Sequence, residues 1–113
     1  MSKSDQNSTL SKEQIEEVYG LYKNGQFKEA ISQIKALNKI HPNVPLLFNL
    51  IGACYTSLGK LEGAVQMFKT AVSLKPDYAE AHKNLGNTLK ELGRLDESIE
   101  SFVKVTVIDP DLV

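Results

Sequence analysis

A 34-residue register runs through this chain and limits what it can fold into. Pro42, Pro76 and Pro110 fall on that register, as do Gly25, Gly59 and Gly93, and Ala30, Ala64 and Ser98. Gly52 matches Gly86, Leu61 matches Leu95, and Phe68 matches Phe102. A fixed period of this size marks stacked helix–turn–helix units, none of which can bury its apolar face alone.

Six helices follow from the apolar spacing. The first starts at Ser11, where Ser11 and Gln14 have capping-box spacing. Its apolar residues Ile15, Val18, Tyr19 and Tyr22 share one helical face, and Asn24-Gly25 ends it. The second carries Phe27, Ala30, Ile31, Ile34, Leu37 and Ile40 and closes at His41-Pro42. Pro45 suits the first turn of the third, whose inward stripe is Phe48, Ile51, Gly52, Tyr55 and Leu58. Leu61, Ala64, Val65, Phe68, Ala71, Val72 and Leu74 stripe the fourth. Asp77 and Glu80 predict a second capping box at the start of the fifth, which holds Ala81, His82, Leu85, Gly86 and Leu89. The sixth presents Leu95, Ile99, Phe102, Val105 and Ile108 as its stripe before Pro110. The expected units span residues 11–44, 45–78 and 79–112, after a disordered polar tail at 1–10.

Small residues at fixed places predict close helix crossings. Gly52 and Gly86 sit mid-helix, where glycine costs about 1 kcal/mol against alanine. The expectation is that a neighbouring backbone comes too near for a Cβ, with Ala30, Ala64 and Ala71 serving the same crossing.

Composition narrows the function classes. The chain has 113 residues, 42% of them apolar, which fits one small folded domain. A net charge of -1 supplies no field that would draw the molecule onto nucleic acid or a membrane surface, so neither is expected as a partner. One cysteine excludes a disulfide framework and a Cys/His metal site, and no cofactor is expected. The opening MSKSDQNSTL lacks the apolar core of a signal peptide, and no later stretch is apolar enough to span a membrane; a cytoplasmic location is the expectation. Candidate catalytic groups read as structural. Cys54 is a small buried filler beside Gly52, and His82 belongs to the packing face of the fifth helix. His41 has no carboxylate or cysteine cluster beside it, and Glu16/Glu17 and Asp96/Glu97 are adjacent pairs that diverge on a helix. No enzymatic activity is expected.

These residues resemble the tetratricopeptide repeat over nearly the whole chain. Unit two carries the family pattern as Phe48, Ile51, Gly52, Tyr55, Ala64, Phe68, Ala71 and Pro76. Unit three carries it as His82, Leu85, Gly86, Leu89, Ser98, Phe102, Val105 and Pro110. Unit one departs from it, with Gln14, Glu17 and Val18 in place of the aromatic, the leucine and the glycine. The resemblance implies an all-α right-handed solenoid of three antiparallel helical hairpins, the first helices of successive units lining a concave groove. It also offers two groove chemistries. The carboxylate clamp of chaperone-type repeats is rejected, because Lys83 and Asn87 look like its opening pair but lie in the last unit, while Ile15 and Tyr19 hold its opening slots in unit one. The asparagine ladder of O-GlcNAc transferase arrays is matched by one rung, Asn84 within AEAHKNLGNTLKELG, and suggests kinship with bacterial chains that carry such repeats ahead of a transferase domain.

The function expected is a protein-interaction scaffold that takes a peptide or partner segment in the groove. Tyr19, Tyr22, Asn49, Lys83, Asn84, Asn87 and Lys90 are the expected contact residues. The alternative is a substrate-orienting or oligomerising segment of a larger transferase-type enzyme. Val103 and Val107 stand where the preceding unit has Lys69 and Ser73, and predict a homodimer through the last helix.

Overall fold

The computed structural model describes residues 9–112, so the expected disordered tail lies, up to residue 8, outside the described residues. Leu10, within them, packs on the first core cluster. Six helices follow in order: α1 Lys12–Lys23, α2 Phe27–Ile40, α3 Pro45–Ser57, α4 Leu61–Leu74, α5 Ala79–Glu91 and α6 Leu95–Ile108. No strand is present among the described residues. Each helix packs on the next, and α3 also meets α5, which makes an elongated solenoid of 48 × 28 × 21 Å.

Three identical turns set the register of the hairpins. Gly25, Gly59 and Gly93 adopt φ of 79°, 77° and 79°, the left-handed region that side chains avoid. Around each, two backbone bonds close the helix end: Gln26 N–H donates to Leu21 O and Gly25 N–H to Tyr22 O, with Lys60 to Tyr55 and Arg94 to Leu89 repeating the first. This pattern satisfies carbonyls that the helix end would leave without partners. The 34-residue glycine comb is therefore a backbone requirement.

Helix starts are less uniform. At α1 the capping box forms in full, with Gln14 N–H donating to Ser11 Oγ at 3.1 Å and Ser11 N–H to Gln14 Oε1 at 2.9 Å. Pro45 occupies the first turn of α3. The second capping box, expected from Asp77 and Glu80, does not form. Tyr78 is the N-cap of α5 and makes no side-chain cap bond. Tyr78 N–H instead donates to Lys75 O across a tight turn, which delays the helix past Asp77, and Glu80 is left in the first turn.

Two core clusters hold the stack. One joins Val18, Ala30, Ile34, Leu47, Leu50, Ile51 and Cys54; the other joins Ala64, Val65, Phe68, Leu85 and Leu89. Ala30, Ala64 and Ala71 are fully buried, as their place in the crossings requires. The close approach at Gly52 and Gly86 differs from the one expected. The neighbour is an aromatic ring: a Cβ on Gly52 would meet Phe68, and one on Gly86 would meet Phe102. The glycines are seats for phenylalanines from the second helix of the same hairpin. At Gly86 the backbone is used as well, since buried Ser98 donates its hydroxyl to Gly86 O at 2.8 Å. The expected inward stripe of α6 also needs correction. Leu95 and Ile99 face outward and are exposed, while the buried residues of α6 are Ser98, Ser101 and Val105. Val65, the counterpart of Ile99, is buried only because α5 covers it, and no described helix covers α6 in that way.

The candidate groove

The first helices α1, α3 and α5 present one continuous concavity, made of two adjoining cavities of about 540 and 350 Å³. Tyr22, Ala53 and Asn84 line both, so they form its waist. Its walls differ in chemistry. On α1, Tyr19 and Tyr22 stack at 6.1 Å, Tyr22 meets Phe27 edge-on at 5.7 Å, and Lys23 Nζ lies 5.5 Å above the Tyr19 ring. These contacts hold the two tyrosines as a fixed aromatic wall. On α3, Ala53, Thr56 and Ser57 make a floor of small side chains. On α5, Asn84, Asn87 and Thr88 supply amides and a hydroxyl, with Lys90 and Glu91 at the far end.

Slots 34 residues apart explain the asymmetry. Tyr19, Ala53 and Asn87 occupy one slot of successive units, and Tyr22, Thr56 and Lys90 occupy another. The turns and the core keep the period, and the groove abandons it. One concave position thus offers an aromatic face, a space and an amide in sequence.

A partly buried polar bridge fixes the amide wall. Asn84 Nδ2 donates to Asn49 Oδ1 at 3.1 Å, joining α5 to α3. Tyr78 lies beside Asn49, and its phenol is pushed above its ordinary pKa chiefly by burial; the Asn49 side chain opposes that shift and Glu80 adds to it. Asn49 is buried, so its amide oxygen is committed to Asn84 and orients it. Thr88 returns its hydroxyl to Asn84 O at 2.8 Å, which locks the same turn of α5. Asn87, one turn along, is exposed.

Of the residues expected from sequence, Tyr19, Tyr22, Asn49, Asn84, Asn87 and Lys90 line this concavity. Lys83 is half-buried and lines neither cavity. It holds the slot of Asn49 one unit later, where no further described helix closes over it. Tyr78 and Thr88 also line the groove and were not anticipated. Neither had a sequence signal, since their counterparts Val44 and Cys54 differ in kind. Charge in the groove is mixed, with Glu80 and Glu91 against Lys90.

Cys54 and His82 are both packed into the fold. Cys54 is fully buried, and its thiol is pushed up to about 11 by burial. His82 is buried and its Nε2 lies 2.8 Å from Pro76 O, pinning the turn before α5. Among the described residues, no three His, Cys, Asp or Glu side chains gather as a metal site would require. No helix among them is long and apolar enough to cross a membrane.

Residues 52–93 match the family profile of the TPR repeat, and residues 79–112 match that of the tetratricopeptide repeat. The peroxisomal targeting signal receptor of Candida glabrata is 34% identical over 64 residues, which are 57% of this chain and 11% of that receptor. The chain therefore spans about a tenth of the length of that relative. Among solved structures, the second TPR of Spaghetti (RPAP3), bound to the HSP90 peptide SRMEEVD, superposes with a TM-score of 0.86 at 22% identity, covering 96% of this chain and 100% of that one. The first TPR of the same protein, bound to the same peptide, gives a TM-score of 0.81 at 25% identity, covering 84% of this chain and 75% of that one.

Proposed function

This chain carries tetratricopeptide repeats across residues 52–112, and we propose that it is a non-catalytic scaffold that binds an extended peptide segment of a partner protein in the groove of α1, α3 and α5. The observation that carries the reading is the Asn49–Asn84 bridge. It fixes an amide wall opposite a stacked tyrosine pair across a floor of small residues. An extended peptide offers backbone donors and acceptors on one side and side chains on the other. Asn84 and Asn87 suit the backbone, since an amide both donates and accepts. Tyr19 and Tyr22 give rigid contact area to an apolar or aromatic side chain. The mixed charge of Glu80, Lys90 and Glu91 favours recognition by backbone and shape, and supplies no cationic cluster for a terminal carboxylate. The two RPAP3 repeats hold a peptide as bound ligand, which supports the use of this fold for that purpose.

A second reading treats the chain as a substrate-orienting segment of a larger transferase-type protein, with Asn84 as one rung of a backbone-gripping ladder. It is favoured by the position of Asn84 at the waist of the groove, and it uses the same surface. Isotherms against an array of internal and C-terminal peptides test both readings. Wild type should bind a subset, and Asn84→Ala with Asn87→Ala should lose that binding; Asn87→Ala alone, at an exposed position, should weaken it while melting like wild type. Asn49→Ala with Lys83→Ala should weaken it through the lost bridge. Binding unchanged in the Asn84/Asn87 variant would contradict both readings.

A further inference from the structure

The outer face of α6 carries a row that the groove does not use. Leu95, Ile99, Val103 and Val107 follow at intervals of four, along one line of the helix surface. They are 57%, 60%, 55% and 77% exposed. With Pro76, Asp77 and Ile108, the last three line a shallow apolar trough of about 560 Å³.

The chain shows what this line does inside the array. Its counterpart on α4 is Leu61, Val65, Lys69 and Ser73. There Val65 is buried with Leu85 and Leu89 of α5, whereas Lys69 stays exposed and pairs with Glu97 of α6 at 3.7 Å. A joint between successive units thus uses one valine and one ion pair on this line. On α6 the lysine and the serine have become Val103 and Val107. A following unit docked as α5 and α6 dock on α4 would find no lysine to pair with and two valines it does not use.

The flanking charges select another occupant. Glu100 and Lys104 lie one turn apart beside the apolar row and line the same trough. Neither has an ion-pair partner among the described residues. When two copies of a helix pair antiparallel about a two-fold axis, the same flank of each meets in reverse order. Glu100 of one copy then faces Lys104 of the other, twice over, while the four-residue ridges interdigitate. A parallel pairing about a two-fold axis would bring opposite flanks together and give Glu100 and Lys104 no such partners. We propose that α6 is a self-complementary docking surface, and that a second copy of this chain packs antiparallel on it through Leu95, Ile99, Val103 and Val107. This interface is separate from the groove and stands whether or not a peptide binds there.

Sedimentation equilibrium of the 113-residue chain across a concentration series tests it. Wild type should pass from monomer to dimer, and Val103→Lys with Val107→Lys should remain monomeric at every concentration. Glu100→Lys and Lys104→Glu should each raise the dimer dissociation constant roughly tenfold, by turning two attractions into repulsions. The doubly reversed chain, E100K with K104E, should recover wild-type affinity. All of these side chains are exposed, and circular-dichroism melts would show that the variants fold. A wild-type monomer at the highest concentration would overturn the proposal and leave the ridge to a following helix or an unrelated partner. A dimer indifferent to the two lysines would overturn it too, and failure of the double reversal to recover would overturn the antiparallel arrangement.

Discussion

A Cβ built on Gly52 would stand 2.5 Å from Phe68 Cε1, a separation that no real side chain tolerates. The same relation recurs one period later, where a Cβ on Gly86 would stand 2.9 Å from Phe102 Cζ. The two seats are not equally rigid. Phe68 is 1% exposed, whereas Phe102 is half-buried and has room to swing. Gly52→Ala should therefore cost about 1–3 kcal/mol through overpacking, and more than Gly86→Ala. Gly86→Leu should exceed either alanine change. Gly20, also helical, has nothing within 4 Å of its would-be Cβ. Gly20→Ala should stabilise by up to about 1 kcal/mol through helix propensity. Denaturant midpoints of the four variants check the order, and equal values for Gly52→Ala and Gly20→Ala would contradict it.

The Gly–Phe pairs show what the sequence discloses and what it withholds. The period marked Gly52, Gly86, Phe68 and Phe102 as fixed positions because ring seats tolerate few residue types, but the close neighbour expected at the glycines was a backbone, and the structure puts a ring there. The same logic located Gly25, Gly59 and Gly93 as left-handed turn residues. Burial on α6 was misjudged, since Ile99 copies Val65 in sequence but no described helix covers it as α5 covers Val65. The start of α5 was missed because Asp77 and Glu80 have cap spacing, yet the turn closed by Tyr78 N–H and Lys75 O overrides that local preference. In the groove, the tyrosines and asparagines were legible as polar or aromatic residues on first helices. Tyr78 was not, because only the tertiary contact with Asn49 brings a turn residue to the site.

Burial of Cys54 gives a pH prediction. The thiol is pushed up to about 11 from its ordinary 9.0, so the folded state holds this proton more tightly than the unfolded state. That contribution is fully present below pH 9.0, is lost as pH rises through the folded value, and makes stability fall across this window. Denaturation midpoints of wild type and Cys54→Ala between pH 8 and 11 should converge as pH rises. Thiol reagents should label Cys54 only on unfolding. Rapid labelling of the native chain would contradict the burial.

Helix α1 is the one described helix with a complete capping box, and it should feel the loss of it. Ser11→Ala should cost about 1 kcal/mol. The loss should show first as faster amide exchange in α1, with α5 and α6 unchanged.

On the convex side, Arg94 Nε donates to Glu97 Oε1 at 2.7 Å and reaches Glu62 at 3.3 Å, while Lys69 approaches Glu97 from α4. The Arg94 hydrogen bond, first among several causes, holds the Glu97 carboxyl below its ordinary value. Its contribution is present at neutral pH and lost as pH falls through the folded pKa. Carboxyl NMR titration of Arg94→Ala should bring Glu97 back towards the ordinary range, and added salt should do the same in wild type.

The central claim is that a partner peptide lies against α1, α3 and α5, and amide NMR shifts measured during titration with a peptide recovered from the array test it most directly. The account predicts that the largest shifts fall on Tyr19, Tyr22, Ala53, Asn84 and Asn87, with the Asn84 and Asn87 side-chain amides moving together with the backbone. Lys69, Glu97 and Lys104 on α4 and α6 should stay still. Shifts concentrated on those convex-side residues, with the groove amides unmoved, would contradict it.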